Sequence, residues 1–192
     1  LYHSIQGTAF ETLPIVAIPG NHEYNKGIVK SLYADWTTIF PNPQNGPRRF
    51  LGRSYIVDFP TLRIITIDTD GLQRMSDYTQ VVFWLKQSIN EAKDRLTIVM
   101  MHHPVFSTAQ GRQNPLIWLA FYGVLREADV VFSGHDHNYA RRYNLYDRDD
   151  DCAPPRKLMR QKERKKLQVM FSCCCPYLKE FRLYICLIPL CL

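Results

Sequence analysis

The stretch Leu96-Thr97-Ile98-Val99-Met100-Met101-His102-His103-Pro104 decides the fold of this chain. Its first six residues are almost all apolar and do not alternate with polar ones, which is typical of a strand covered on both faces of a sheet. Pro104 disfavours helix at His103, so the strand ends in a polar turn. We therefore predict a buried strand over residues 96–101 whose histidines lie at its carboxyl end, the edge at which open α/β sheets bind ligands.

Two distant stretches repeat this arrangement of an apolar run followed by polar side chains. Gly20-Asn21-His22-Glu23 follows a predicted strand over residues 13–19, and Gly134-His135-Asp136-His137 follows one over residues 129–132. With the first stretch they offer one amide oxygen and three imidazoles, which is most of a metal site.

Each stretch taken alone has a simpler interpretation. A single histidine at a strand end is more often a hydrogen-bonded structural residue than a ligand. Adjacent residues of an extended chain point in different directions, so we expect at most one of His102 and His103 to reach a given metal. His135 and His137 share a face of an extended chain, or splay in a tight loop toward two ions about 3.5–4 Å apart.

The rest of the pattern alternates strands with helices and predicts a mixed α/β domain. A hairpin turning at Pro60-Thr61 is expected from residues 53–59 and 62–67. Helical spacing predicts helices over residues 30–40, from Ser76 or Asp77 to about residue 93, and over 115–126. Weaker strand patterns occupy residues 167–172 and 181–188. We predict a main part over residues 1–146 and a divergent C-terminal segment, a basic loop followed by strands of the same domain, over 147–192.

Composition excludes several classes of function. The net charge of +6 is concentrated in residues 156–166, which hold seven cations and one anion, so the rest of the chain is neutral. A nucleic-acid-binding domain usually spreads its positive charge over a folded face, so no nucleic-acid partner is expected. No segment approaches the ~20 apolar residues that a membrane span needs. The six cysteines all follow residue 151 and lack metal-knuckle spacing, so we interpret them as small apolar residues of a late strand.

Together, Gly-Asn-His-Glu, Val-x-x-His and Gly-His-x-His, in this order, resemble the last three of five motifs of the calcineurin-like metallophosphoesterases. The longer pieces Gly-Asn-His-Glu-Tyr, His-x-Pro and Gly-His-Asp-His-Asn-Tyr-Ala-Arg are most similar to the purple acid phosphatase branch. The resemblance covers residues 13–142. It implies a sandwich of two mixed β-sheets flanked by helices, with a binuclear metal centre of Fe, Zn or Mn.

The resemblance also assigns roles to residues. Asn21, His102 and His135 would bind the second metal and His137 the first. A metal-bound hydroxide would attack the phosphorus of a phosphate monoester. His22 would contact a phosphate oxygen and help to protonate the leaving group. Arg112 is a candidate phosphate clamp because its guanidinium fits phosphate oxygens, although a solvent-exposed loop arginine is an equally good interpretation.

The chain departs from the family pattern in its acidic ligands. The motifs Gly-Asp-x-Gly and Gly-Asp-x-x-Tyr are absent, and the internal candidates Asp58, Asp68 and Asp70 lack the Gly-Asp context. The resemblance therefore implies an N-terminally incomplete domain, and we expect little or no phosphatase activity from this chain alone.

Several alternatives follow from the same residues. The substrate is expected to be a phosphorylated small molecule or a phosphoprotein. A phosphodiesterase or nucleotide hydrolase on the same scaffold, or an inactive metal-binding fragment, fits the motifs as well. The resemblance favours a secreted or periplasmic protein, and the sequence predicts no oligomeric state.

Overall fold

The computed structural model describes residues 15–137, 139–143, 167–170 and 184–186. The strands of this part are β1 (Ile15–Ala17), β2 (Tyr55–Asp58), β3 (Leu62–Ile67), β4 (Leu96–Met101), β5 (Val130–Ser133), β6 (Ala140–Tyr143), β7 (Leu167–Met170) and β8 (Tyr184–Cys186). The α-helices are α1 (Asp35–Ile39), α2 (Met75–Asn90) and α3 (Pro115–Leu125). Two single 3-10 turns cover Asn21–Glu23 and Arg48–Phe50.

The main sheet has the strand order β2-β3-β4-β5-β7-β6 among the described residues. Strands β3, β4, β5 and β7 run parallel, and β2 and β6 flank them as antiparallel neighbours. Helix α2 connects β3 to β4 and α3 connects β4 to β5, the crossover that parallel neighbours require. Because Ile67, Met101 and Ser133 are aligned across the three strands, the loops that follow them begin side by side.

Helices α2 and α3 cover one face of this sheet. Residues two apart on a strand share a face, and Ile65 and Ile67 of β3 point toward the helices together with Val99 and Met101 of β4. These four side chains are fully buried. The helices contribute a matching apolar stripe, formed by Val81, Leu85, Ile89, Ile117, Phe121, Val124 and Leu125.

Strand β1 covers the opposite face. Val16 and Ile18 pack against Ile64, Ile98 and Met100, the residues that alternate with the helix-facing set. The hydroxyl of buried Tyr55 donates to the Ala17 carbonyl oxygen over 2.7 Å and ties β1 to β2. Since β1 also pairs with β8 in a second, antiparallel sheet, the described part has the predicted layering of two sheets with helices outside.

The structure corrects two element boundaries. The helix predicted over residues 30–40 covers only Asp35–Ile39, because the preceding segment is held by a bridge between Tyr24 and Leu32. Helix α2 begins at Met75 after Arg74. Asp77 lies inside its first turn, where its carboxylate accepts from the Arg74 amide over 3.0 Å, so neither Ser76 nor Asp77 is the N-terminal cap.

Several sequence predictions lie outside the described residues, including the basic segment 156–166 and all cysteines except Cys186. The division near residue 146 stays a prediction. In the described part of the chain, no helix combines the length and the apolar character needed to cross a bilayer.

Candidate metal centre

Four loops meet at the carboxyl edge of the parallel strands. The Asn21–Glu23 turn follows β1, while the loops after β3, β4 and β5 carry Asp68 to Asp70, His102 and His103, and His135 to His137. The Gly134 amide donates to the His102 carbonyl over 3.0 Å, which continues the β4–β5 pairing into the loops. The polar groups are thus held by the ends of rigid, buried strands.

The imidazole of His102 is the centre of the cluster. Its Nε2 lies 2.8 Å from Asn21 Oδ1 and 3.1 Å from His135 Nδ1. Gly20 makes this close approach feasible, because a Cβ atom there would lie 2.6 Å from His102 Nδ1. The structure therefore brings together three of the four predicted metal ligands, from residues 81 and 33 positions apart in the chain.

Burial keeps these imidazoles neutral. It lowers the pKa of His102 well below the ordinary value, and the neighbouring imidazoles of His103 and His135 add to the effect. Burial, followed by His103 and Arg112, lowers the pKa of His135 to about 4. A metal ligand must be deprotonated, and at neutral pH each of these two imidazoles has one ring nitrogen with a lone pair for a metal.

The loop after β5 has an unusual backbone. His135 and His137 adopt φ angles of 72° and 54°, in the left-handed region that non-glycine residues rarely occupy. Such residues cost about 1–3 kcal/mol each and cluster at functional sites. His137 is exposed, yet it is close enough to lower the pKa of both His102 and His135. It therefore lies beside the cluster, and its role as a ligand stays a prediction.

His103 also joins the cluster, which sequence reasoning missed. One ring nitrogen from each of His102, His103 and His135 lies within 4.8 Å of the others. The ring centroid of His103 lies 5.1 Å from that of His102 and 4.5 Å from that of His135. The expectation that adjacent histidines diverge holds for an extended chain, whereas the chain bends at both residues here. The His-His-Pro sequence was the one available signal.

The predicted substrate residues lie around the cluster. His22 is exposed and adjoins Asn21, and its charge acts on both His102 and Asp70. Exposed Arg112 donates from Nη1 to the His135 carbonyl oxygen over 2.6 Å. Both side chains border the imidazoles without belonging to the group of converging ring nitrogens.

The three internal carboxylates differ in availability. Asp68 is held by the Tyr24 hydroxyl, by the Gly71 amide at 2.9 Å and by Arg53 at 3.2 Å. Burial raises its pKa. These partners leave Asp68 no role as a metal ligand, and Asp58 lies at the opposite edge of the sheet.

Asp70 is the exception. Its Oδ1 lies 3.4 Å from Lys30 Nζ, and its buried Oδ2 has no hydrogen-bond partner among the described residues. That oxygen lies 3.5 Å from His103 Nδ1. Burial raises the pKa of Asp70 to about 6, against the opposing effect of Lys30.

The donor set fits one divalent ion. Imidazole nitrogens and an amide oxygen suit Zn²⁺ and its first-row neighbours. Ligands at about 2.0–2.1 Å in a tetrahedron lie roughly 3.3 Å from one another, close to the separations of 2.8 and 3.1 Å around His102 Nε2. Asn21, His102 and His135 can therefore hold a metal after small movements.

The chain resembles parts of two known proteins. The chain is similar to the glycerophosphodiester phosphodiesterase GpdQ of Enterobacter lignolyticus (strain SCF1), with 26% identity over 133 residues. That match covers 65% of this chain and 45% of the relative, so the chain spans less than half of that protein's length. Among solved structures it is similar to GAP50, the anchor in the inner membrane complex of Plasmodium, with 19% identity and a TM-score of 0.42 over 62% of this chain and 36% of the other.

A family description supplies the broadest match. The model of the calcineurin-like phosphoesterases matches residues 3–139. It includes all three histidine- and asparagine-bearing loops of the cluster. The chain therefore belongs to the calcineurin-like phosphoesterase family.

Proposed function

We propose that this domain hydrolyses phosphate monoesters in a metal-dependent reaction, as an acid phosphatase of the purple type does. The observation that carries the proposal is the convergence of Asn21 Oδ1 and His135 Nδ1 on His102 Nε2. Family membership supports phosphoester hydrolysis in general, and the motif resemblance supplies the monoester preference. The proposed substrates are phosphorylated small molecules or phosphoproteins. The protein is proposed to be secreted or periplasmic.

The residues around the cluster have complementary roles in this proposal. Asn21, His102 and His135 would hold one ion of Fe, Zn or Mn, and His137 would contribute to a second. When bound, such ions supply Lewis acidity and an activated water near neutral pH. His22 would donate a proton to the leaving oxygen, while the Arg112 guanidinium would bind the phosphate oxygens.

A diester substrate is the second candidate. The relative GpdQ is named for the hydrolysis of a glycerophosphodiester, and the metal-binding residues do not choose between the two ester classes. The surrounding loops set substrate size, so only a comparison of substrates decides between them.

An inactive metal-binding fragment is the third candidate. The Gly-Asp motifs are absent from the sequence, and Asp68 is occupied by Tyr24, Gly71 and Arg53. If this candidate is correct, the chain binds a metal but hydrolyses phosphate esters slowly or not at all.

Two assays on the purified chain test the proposal. Calorimetric titration with Zn²⁺ measures metal binding, and release of nitrophenol from a mono- or bis-nitrophenyl phosphate measures turnover. We expect Zn²⁺ binding that is lost in Asn21→Ala and kept in the control Asn90→Ala, at the exposed end of α2. Slow but metal-dependent cleavage should favour the monoester.

The possible outcomes separate the candidates. Faster cleavage of the diester would establish the second candidate, and binding without cleavage of either ester would establish the third. Equal Zn²⁺ binding by the parent chain and Asn21→Ala would contradict the proposed site itself.

A further inference from the structure

The surroundings of His103 differ from those of an ordinary packed histidine. Its side chain is 14% exposed, and its ring faces two other imidazoles rather than the apolar core. Its backbone amide donates to Thr69 Oγ1 over 3.1 Å, and its Nδ1 lies 3.0 Å from the same oxygen. The loop after β3 therefore holds both the main chain and the ring of His103 in place.

Asp70 lies beside the Nδ1 edge of the His103 ring. The buried Oδ2 lies 3.5 Å from Nδ1 and has no hydrogen-bond partner among the described residues. A carboxylate oxygen repels a ring lone pair and attracts an N–H group, so it favours the tautomer with the proton on Nδ1. The lone pair of His103 is then on Nε2.

This arrangement is the one in which carboxylates prepare histidines for metal binding. A metal-ligating imidazole almost always donates its other N–H to a carboxylate, a carbonyl or water, which fixes the tautomer and the ring orientation. Thr69 Oγ1 lies within hydrogen-bond distance of His103 Nδ1, and the Asp70 carboxylate lies just beyond that distance on the same edge of the ring. The converging ring nitrogens of His102, His103 and His135 provide the place for the ion.

We propose that His103 is a metal ligand of this chain through Nε2, and that Asp70 is the positioning residue that prepares it. With Asn21, His102 and His135, the site then has three imidazoles and one amide oxygen around a single ion. Such a set selects Zn²⁺, Co²⁺ or Fe²⁺ over Mg²⁺ and Ca²⁺, which prefer all-oxygen sites. The inference rests on the proposed metal-dependent function but adds a ligand to it.

Nitrogen-15 NMR of the labelled chain with ¹¹³Cd²⁺ tests the ligand directly. A ring nitrogen bound to ¹¹³Cd shows a one-bond scalar coupling, which a structural histidine does not. We expect couplings at His102 Nε2, His135 Nδ1 and His103 Nε2, with the His103 signals assigned by their loss in His103→Gln.

The three outcomes of this measurement are distinct. Coupling at all three rings supports the proposal. Coupling at His102 and His135 without coupling at His103 overturns it and leaves the proposed function standing. Absence of coupling at every ring overturns both.

Zn²⁺ affinity provides the second measurement. Loss of a positioning carboxylate costs about 10–100-fold in metal affinity, so Asp70→Asn should bind Zn²⁺ about tenfold more weakly. His103→Gln should bind at least about 100-fold more weakly, since it removes a ligand outright. The control is Asp129→Asn, whose carboxylate accepts from the Thr97 amide over 2.8 Å at the opposite edge of the sheet and should bind Zn²⁺ as the parent does.

The role of Asp70 is tested by the tautomer. In the metal-free parent chain the His103 proton should reside on Nδ1, and in Asp70→Asn the nitrogen-15 shifts should move toward a mixture of tautomers. Unchanged shifts and unchanged Zn²⁺ affinity in Asp70→Asn would overturn the positioning role.

Discussion

The two edges of the main sheet differ in how fully the oxygens of their acidic side chains are hydrogen-bonded. At the amino edge of β3 and β4, Asp58 accepts from Nε and Nη2 of Arg63 over 2.7 Å each and lies 2.8 Å from Arg95 Nη1. At the carboxyl edge, buried oxygens of Asp70 and Asp136 have no hydrogen-bond partner among the described residues. The charged groups of the first edge are paired with one another, whereas the second edge holds the groups for which we propose a role in metal binding.

The pKa values follow the same division. Hydrogen bonds from Arg63 keep the pKa of Asp58 below its ordinary value; burial opposes them, and Arg95 adds to the lowering. Burial raises the pKa of Asp70 to about 6. Asp58, which is paired with arginines, therefore differs from Asp70 in the direction of its pKa shift. Substitution of either residue alters this difference.

The largest effect is expected from His102→Ala. It removes the nitrogen that contacts both Asn21 and His135, so Zn²⁺ affinity should fall by more than about 100-fold. Calorimetric titration measures it. Urea unfolding of the metal-free parent chain and of metal-free His102→Ala provides the control. These two proteins should differ far less in stability than in Zn²⁺ affinity. Comparable losses in both would assign His102 a structural role.

Gly20→Ala should be the next largest. The added Cβ would lie 2.6 Å from His102 Nδ1, so the ring must move away from Asn21 and Zn²⁺ affinity should fall by about tenfold or more. Gly123→Ala is the matched control, because a Cβ there meets nothing within 4 Å. In α3 it should raise stability by roughly 0.5–1 kcal/mol without affecting Zn²⁺. Equal Zn²⁺ affinity in both variants would show that His102 does not need its close packing on Gly20.

Asp58→Asn should weaken the amino edge alone. It removes the charge nearest to Arg63, which is only 8% exposed and then keeps the Glu91 carboxylate at 3.9 Å. The free energy of unfolding should fall by about 1–2 kcal/mol with unchanged Zn²⁺ affinity. The folded pKa of Asp58 lies below its unfolded value, so this stabilisation is complete above about pH 4 and is lost as pH falls through the folded pKa.

Urea unfolding from pH 7 to pH 3 measures the effect of Asp58. The difference in unfolding free energy between parent and Asp58→Asn should be constant at the upper end and shrink below about pH 4. A difference that grows on acidification would contradict the assignment of Asp58 as a stabilising carboxylate.

The smallest effect has the opposite sign. Asp70→Asn removes a charge from a buried oxygen that has no described hydrogen-bond partner, so the metal-free variant should gain up to about 1 kcal/mol at pH 7. The lost pair with Lys30, which is half exposed, offsets little of this gain. Asp129→Asn should instead lose stability, because an amide oxygen accepts the hydrogen bond from the Thr97 amide less strongly than the carboxylate does. Destabilisation by both would remove the distinction between the edges.

Sequence patterns predicted the parts that depend on local periodicity. The apolar run 96–101 coincides with β4, and the hairpin of β2 and β3 turns where Pro60-Thr61 was expected. Helix α3 ends at Leu125, one residue before its prediction. Each of these segments is defined by a spacing of apolar and turn-forming residues that is visible in the local sequence.

Predictions failed where distant contacts compete with local preference. The helix predicted over residues 30–40 is shorter than expected, because the bridge between Tyr24 and Leu32 holds its first part in another conformation. Asp70 has no motif that distinguishes it from Asp58, yet one is buried beside an imidazole and the other is paired with arginines. Their difference depends on which edge of the sheet each occupies.

The sequence by itself determined a family, a layered α/β fold and three loops that carry Asn21, His102 and His135 after buried strands. Only the tertiary structure decided that His103 faces the same cluster and that Asp70 stands behind it. The physical reason is that strand order and register place loops side by side across many residues, whereas the orientation of each side chain depends on the bend of its own loop and on the neighbours that the fold supplies.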